Sequence, residues 1–190
     1  MAQRMEILDG GTLDYYEAFY SATEANALFE QLRTQTPWRQ ERSRMRPFPR
    51  LTAWYADAGL TYRYSGVTHE ATPWTPQLLE VRQHVEQAAT APFNSVLLNF
   101  YRDGQDSIGY HSDAEPELGV NPIIASISLG EVRQFVLKHV KTGEKLKFNL
   151  AHGSLLIMGG TSQHHWVHAV PKTKAEVGRR VNLTFRNIRS

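Results

Sequence analysis

The chain contains no cysteine. Disulfides, thiolate metal sites and a cysteine nucleophile are therefore excluded, and the absence fits a reducing compartment such as the cytoplasm. The first eleven residues lack the apolar stretch of a secretory signal, and no apolar run approaches membrane-spanning length. With 190 residues, 41% hydrophobic and 21% charged, the composition is that of one globular domain. We expect a monomer in the cytoplasm, or in the nucleoid or nucleus, with no membrane partner.

The excess of positive charge is small, +2 in total, but it is concentrated in two segments. Residues 33–50 carry six arginines against one glutamate, and residues 151–190 carry six basic residues against one glutamate. Because solvated surfaces usually mix their charges, two basic blocks indicate a polyanionic partner. On charge alone, two ordinary basic surface loops explain the pattern equally well.

Apolar periodicity predicts helices in the first half of the chain and strands in the second. Residues 14–35 are predicted to be helical, with Ser21 as N-cap and Glu24 as its capping-box partner, and residues 77–89 form a second helix. Between them we expect a basic loop or loose hairpin at 37–50, and then two short strands at 51–55 and 60–64.

From residue 94 onward, short β runs alternate with turn residues. The predicted strands are 95–101, 123–129, 134–139, 145–150, 154–158, 166–170 and 180–188. Strands without long intervening helices predict a jelly-roll core at about 94–190. An α/β cap at about 1–93 completes a single domain, so the expected fold class is α+β, mainly β.

The first motif with chemical content is His111-Ser112-Asp113. Alternate residues of an extended chain point to the same side, so His111 and Asp113 can hold one ion such as Fe(II), Mn(II) or Zn(II). The motif alone is weak, because eight histidines and six aspartates produce a His-x-Asp by chance in roughly one chain in four.

A third ligand candidate strengthens the motif. His168 lies in an apolar strand, where a lone histidine is more often a core residue. A His-x-Asp pair followed by a strand histidine is, however, the order of a two-histidine, one-carboxylate triad, which leaves metal positions open for oxygen. His164 and His165 are competing candidates.

The strand at 180–186 alternates strictly. Its odd positions are apolar, and its even positions are all polar: Arg180, Asn182, Thr184 and Arg186. The ordinary explanation is a polar face turned to solvent. The alternative is a polar face inside the barrel, where two buried arginines require anions and suit a dicarboxylate.

Asn99 and Tyr101 share one face of the strand that precedes the His-x-Asp motif. They are either core polar residues bonded to backbone or neutral hydrogen-bonding groups for the same ligand. Together, these residues resemble the AlkB family of Fe(II)- and 2-oxoglutarate-dependent dioxygenases, in the order of that family: Asn99-x-Tyr101, His111-Ser112-Asp113, His168 and Arg180-x-Asn182-x-Thr184-x-Arg186. The residues at 49–55 look especially like the human member that acts on single-stranded nucleic acid.

This resemblance implies a double-stranded β-helix that uses Fe(II), 2-oxoglutarate and O2. His111, Asp113 and His168 would bind iron. The remaining co-substrate roles fall on two groups. Arg180, Tyr101 and Asn182 would hold the far carboxylate, while Arg186 and Asn99 would serve the metal-side carboxylate region. Thr184 would be a further co-substrate-binding residue.

The resemblance also implies a nucleotide-recognition lid and substrate contacts. Tyr64 would stack on a flipped base, Tyr62 is a second candidate contact, and Glu115 would read the exocyclic amine of the base. Ordinary strand packing is the alternative for either tyrosine. Arg50 and the neighbouring arginines would contact phosphates. Family members that act on duplex DNA carry an apolar wedge where this chain has the charged residues 40–44, which favours single-stranded DNA, with RNA and duplex DNA as alternatives.

The implied reaction removes methyl groups from bases of the 1-methyladenine and 3-methylcytosine type. It converts 2-oxoglutarate to succinate and CO2 and releases formaldehyde. Two other classes stay open: a nucleic-acid-binding module without turnover, and an oxygenase acting on a protein side chain or a small molecule. The preferred lesion is not determined by the sequence.

Overall fold

The computed structural model describes residues 2–42, 47–64 and 67–189, without the side chains of residues 62–64 and 67–70. Its helices are α1 (Ala22–Gln35), α2 (Pro76–Ala89) and the short α3 (Ser162–His165). Its strands are β1 (Gln3–Ile7), β2 (Gly11–Tyr16), β3 (Leu51–Ala56), β4 (Thr61–Tyr64), β5 (Val67–Glu70), β6 (Ser95–Tyr101), β7 (Ile108–His111), β8 (Ile124–Gly130), β9 (Arg133–His139), β10 (Lys145–Leu150), β11 (Ser154–Gly160), β12 (Trp166–Val170) and β13 (Arg180–Arg186).

Two antiparallel sheets form the core. The larger has the order β1-β2-β11-β8-β13-β6-β3, the smaller has the order β10-β9-β12-β7, and β4 and β5 form a separate hairpin. Side chains from both sheets line one cavity, including Tyr101 and Arg180 from the larger sheet and His111 and His168 from the smaller. The predicted jelly-roll core is therefore confirmed, and the cavity lies between its two sheets.

The strand β13 lies near the middle of the larger sheet, between β8 and β6, and is buried along its whole length. Its apolar residues Val181, Leu183 and Phe185 join the core cluster that also contains residues of α1 and α2. Each such side chain contributes about 1.5–3 kcal/mol on burial. Because side chains alternate across a strand, the polar face of β13 points the other way, into the cavity and not to solvent.

Helices α1 and α2 cover the outer face of the larger sheet. Each begins with a side-chain cap: Ser21 and Glu24 form the predicted capping box of α1, and Thr75 accepts a hydrogen bond from the Leu78 amide in α2. Apolar residues at helical spacing, such as Leu28 and Leu32 in α1, pack against the sheet. The helices thus shield the apolar face of β13 and leave its polar face to the cavity.

The predicted helix at 14–35 is wrong over its first part. Residues 11–16 form β2, in which Leu13 is buried and which pairs with β11, and helix α1 begins only at Ala22. Pairing with a neighbouring strand overrides the weak local pattern, since β propensity depends on context. The strands β1, β5 and β7 were also not predicted.

Strands from the first 93 residues belong to the larger core sheet. Strands β1 and β2 lie at one edge of the larger sheet and β3 at the other. The division of the chain near residue 93 stays a prediction.

The segment before β3 contains the expected loose hairpin, since Arg42 pairs with Pro47 and Arg39 pairs with Thr52 of β3. Residues 43–46 lie outside the described part. No helix among the described residues is long and apolar enough to cross a membrane.

Candidate metal and co-substrate site

The three predicted metal ligands come together at one end of the smaller sheet. His111 at the end of β7 lies directly opposite His168 of β12, with ring centroids 4.3 Å apart. Asp113 follows two residues later, and its Oδ2 lies 3.8 Å from His168 Nε2. One ligand atom from each residue lies within 4.8 Å of the other two. Two imidazoles and one carboxylate are a donor set suited to Fe(II).

Neighbouring groups orient these ligands. The Nδ1 atom of His111 lies 2.9 Å from the Gly109 carbonyl, which must accept from an N–H, so Nε2 keeps its lone pair for a metal. The Asp113 amide donates to Gln163 Oε1 at 2.9 Å. Gln163 was not predicted, because a glutamine on a four-residue helix carries no periodic signal.

The two carboxylate oxygens of Asp113 have different surroundings. Arg186 of β13 donates to Oδ1 through Nη2 at 2.7 Å and through Nε at 3.2 Å. Oδ2 is buried and has no hydrogen-bond partner among the described residues. A buried carboxylate oxygen without a partner is destabilising unless a cation meets it, so this atom fits a metal.

The protonation states also suit a metal. Burial acts to raise the pKa of Asp113, but the charge of Arg186, the neighbouring His168 and His111 and the hydrogen bond from Arg186 together outweigh it and hold that pKa at about 2. Burial, and then the neighbouring His111, lowers the pKa of His168 to about 3 against the opposing effect of Asp113. At neutral pH the aspartate is therefore charged and His168 is neutral, as ligation requires.

The competing histidines belong elsewhere. His165 lies in a second group with Asp9 and His139, and His164 is exposed beside it. The Thr142 amide donates to His139 Nδ1 at 3.1 Å, so His139 Nε2 carries the hydrogen and donates to Asp9 at 3.1 Å. Hydrogen bonding within the protein accounts for this second group.

Arg180 supplies the anion-binding end of the cavity. The residue is only 1% exposed, and its Nη2 donates to Ser128 Oγ at 2.9 Å. Its Nε and Nη1 are buried without a hydrogen-bond partner among the described residues. Buried guanidinium donors without partners are unfavourable, so these donors fit an anion from outside the protein, such as one carboxylate of a dianion.

The centre of the polar face is a hydrogen-bonded network. Asn182 donates to Ser126 Oγ at 2.8 Å and accepts from Thr184 at 3.0 Å. Asn99 lies opposite Asn182, 3.4 Å from it, and accepts from Arg50 Nε at 2.7 Å. The network satisfies these groups and fixes the faces of β6 and β13 toward the cavity.

The predicted substrate residues lie in different surroundings. Glu115 is half-buried beyond Asp113, and its Oε2 has no hydrogen-bond partner among the described residues. Arg50 is 3% exposed and bonded to Asn99, so it is not on the surface with Arg39 and Arg42. The side chains of Tyr62 and Tyr64, on β4, lie outside the described part of the chain.

Comparison with known proteins agrees with this geometry. Residues 12–186 match the 2OG-Fe(II) oxygenase superfamily. The chain is 42% identical over 187 residues to alpha-ketoglutarate-dependent dioxygenase alkB homolog 3 of Rattus norvegicus, covering 91% of this chain and 63% of that protein. It is 39% identical to DNA oxidative demethylase ALKBH2 of Homo sapiens, covering 91% of this chain and 72% of that protein.

The fold is also similar to solved structures. The structure of OsALKBH1 superimposes with a TM-score of 0.70 at 16% identity, covering 97% of this chain and all of that one. At this identity the likeness concerns the fold alone. The chain spans less than two thirds of the length of the rat relative.

The depressed pKa of His168 predicts acid sensitivity of the metal-free protein. As pH falls below the ordinary value of 6.5, the unfolded chain protonates His168, whereas the folded chain resists until about pH 3. Stability should then fall by about 1 kcal/mol per pH unit in this window. Urea unfolding in chelator, between neutral pH and about pH 4.5, measures this slope.

The slope should flatten in His168→Asn and stay unchanged in His164→Asn, since His164 is exposed. Equal slopes in all three proteins would contradict the burial of a neutral His168.

Proposed function

The chain belongs to the 2OG-Fe(II) oxygenase superfamily and within it to the AlkB family, and we propose that it oxidatively demethylates N-alkylated bases in DNA, preferably single-stranded. The observation that carries the proposal is a single cavity with a metal-ligand triad at one end and a half-satisfied buried arginine at the other. Both relatives are named as oxygenases or demethylases of this kind.

His111, Asp113 and His168 would hold Fe(II), and the ion would supply the oxidation of the methyl group with O2 while 2-oxoglutarate is converted to succinate and CO2. The contribution of the protein is orientation. Arg186 fixes the Asp113 carboxylate, so that Oδ2 alone faces the metal. Gln163 fixes the backbone of the same residue.

Arg180 would hold the far carboxylate of 2-oxoglutarate through its buried guanidinium, whose Nε and Nη1 have no hydrogen-bond partner among the described residues, in a position where the surrounding strands exclude water. Tyr101, whose ring centroid lies 5.1 Å from the Arg180 guanidinium carbon, borders the same place. Asn182 and Thr184 complete the wall between the two ends. With Arg180 at one end and the triad at the other, the cavity would bind the co-substrate with its keto acid end toward the triad.

Glu115 would read the substrate base. Its Oε2 is a buried acceptor with no hydrogen-bond partner in the described part of the chain, two residues beyond the proposed metal ligand Asp113. The exocyclic amine of adenine or cytosine is the donor that such an oxygen can accept from. A base must leave its stack to reach this depth, which costs less in single strands.

The surface beside β3 supports a single-stranded substrate. Residues 39–42 are all polar, and Arg39 and Arg42 are exposed. They offer positive charge to phosphates and no apolar side chain to insert between stacked bases. Matched DNA and RNA oligonucleotides, single- and double-stranded, would decide the preferred polymer.

Replacing a metal ligand tests the proposed reaction directly. We expect His168→Ala to abolish formaldehyde and succinate formation on methylated oligonucleotides. The effect should exceed the loss of about 10–100-fold that is typical when a residue hydrogen-bonded to a metal ligand is replaced. His164→Ala is the matched control, because His164 is an exposed histidine outside the triad. Full turnover in His168→Ala would rule out the assigned metal site.

Replacing Glu115 separates base recognition from co-substrate chemistry. Glu115→Gln should lower demethylation by about 10–100-fold, since a hydrogen bond to a charged group contributes about 1.5–3 kcal/mol. Substrate-independent succinate formation should persist. Glu117→Gln, two residues on and exposed, should behave as wild type. An equal loss in both reactions would show that Glu115 supports the site and does not read the base.

The exposed arginines predict a steep salt dependence. Log affinity for a single strand should fall linearly with log salt, and each phosphate contact removed by Arg39→Gln or Arg42→Gln should reduce the slope by about 0.7. Arg4→Gln is the control, since Arg4 lies on β1 at the opposite edge of the sheet from β3. A flat salt response of the wild type would contradict backbone binding.

A further inference from the structure

Arg133, at the start of β9, is a buried arginine for which the reaction described above has no use. It is 3% exposed and does not line the cavity. Burying a guanidinium is unfavourable unless its donors and its charge are both compensated. Backbone carbonyls accept from its donors, and the carboxylates of Asp106 and Asp103 offset part of its charge.

The donors of Arg133 join two loops. Nη1 donates to the Asp103 carbonyl at 2.9 Å, and Nη2 donates to the Asp106 carbonyl at 2.9 Å and to the Pro171 carbonyl at 2.8 Å. The first two carbonyls lie in the loop between β6 and β7, and the third lies in the loop between β12 and β13. Arg133 therefore fixes the ends of three strands that carry site residues.

The same two loops contact each other closely. The Thr173 amide donates to the Gly104 carbonyl at 2.9 Å, and a Cβ at Gly104 would lie 2.8 Å from the Thr173 carbonyl oxygen. The position tolerates no side chain, so the contact between the loops is tight. This places Arg133 at a rigid junction.

The junction borders the anion-binding end of the cavity through Tyr101. The guanidinium carbon of Arg133 lies 5.7 Å from the centroid of the Tyr101 ring, and that of Arg180 lies 5.1 Å from the same centroid. Two cations that share one aromatic ring gain from its π electrons, but they repel each other. Burial, and among the charges that of Arg133, lowers the pKa of Arg180.

We propose that Arg133 is a positioning residue for the far carboxylate of 2-oxoglutarate. It holds Tyr101 against that carboxylate, and it adds a second buried positive charge beside Arg180. The inference rests on the proposed function. A dianion entering beside Arg180 offsets the repulsion between the two guanidiniums, whereas a 2-oxo acid without a far carboxylate does not. Arg133 thus favours dicarboxylates over monocarboxylates.

Binding of two 2-oxo acids tests the proposal without turnover. Calorimetry under anaerobic conditions, with Mn(II) in place of Fe(II), gives the affinity of the folded protein for 2-oxoglutarate and for 2-oxobutyrate, which lacks the far carboxylate. We expect Arg133→Met to weaken 2-oxoglutarate binding by about tenfold or more, the size of effect seen when a group that orients a binding residue is lost. Binding of 2-oxobutyrate should not change.

Arg133→Lys keeps the charge but not the planar fork, and should retain part of the preference for the dicarboxylate. Arg102→Met is the matched control. Arg102 bonds to the Asp106 carboxylate in the same loop through Nε at 2.8 Å, so its loss disturbs the loop without removing the charge beside Tyr101. Its affinities should equal those of the wild type.

The outcomes separate the two proposals. If the wild type does not bind 2-oxoglutarate, the proposed function fails, and this inference fails with it. If the wild type binds and Arg133→Met binds equally well, or loses both acids to the same extent, Arg133 is only structural and the inference alone is overturned. If Arg133→Met does not fold, the ratio of the two affinities in Arg133→Lys decides instead. The inference is overturned if Arg133→Lys loses affinity for both acids equally, so that this ratio equals that of the wild type.

Discussion

The site depends on the presence of two arginines on the buried face of one strand. Arg180 and Arg186 are 1% and 4% exposed, at opposite ends of β13. Buried charges require counter-charges, and the chain supplies one of the two. Asp113 meets Arg186. Arg180 keeps two donors without partners among the described residues, which is why the proposed function gives it an anion from outside the chain.

Much of this site could be predicted from residue patterns. The alternation at 180–186 predicted the two faces of β13, and the order of His111, Asp113 and His168 predicted the three side chains that the structure brings together. The pattern did not determine whether the polar face lay inside or outside. Coverage by α1 and α2 decided this, because the helices occupy the apolar face and leave the other for the cavity. Such packing is a property of the whole fold and not of the strand.

Other features depend on distant pairing and could not be predicted locally. Strand β2 pairs with β11, about 140 residues away, and residues 14–20 were therefore wrongly assigned to a helix. The role of Gln163 depends on its distance from the Asp113 amide, and that of Arg133 on the meeting of two loops. Arg50 belonged to a basic segment by sequence, yet the fold buries it against Asn99. Charge counts do not separate surface arginines from buried ones.

His168 on β12 pairs directly with His111 on β7, so the candidate metal site depends on the register of these two strands. The two strands shift register between His168 and Val170, so the directly opposed histidines lie beside an irregularity in the pairing. Sliding one strand by a single residue would turn its histidine to the opposite face of the sheet. The spacing of the ligands therefore cannot drift by small amounts. Substitutions that loosen this strand pair should divide the molecules into a competent and an incompetent population, with no intermediate affinity between them.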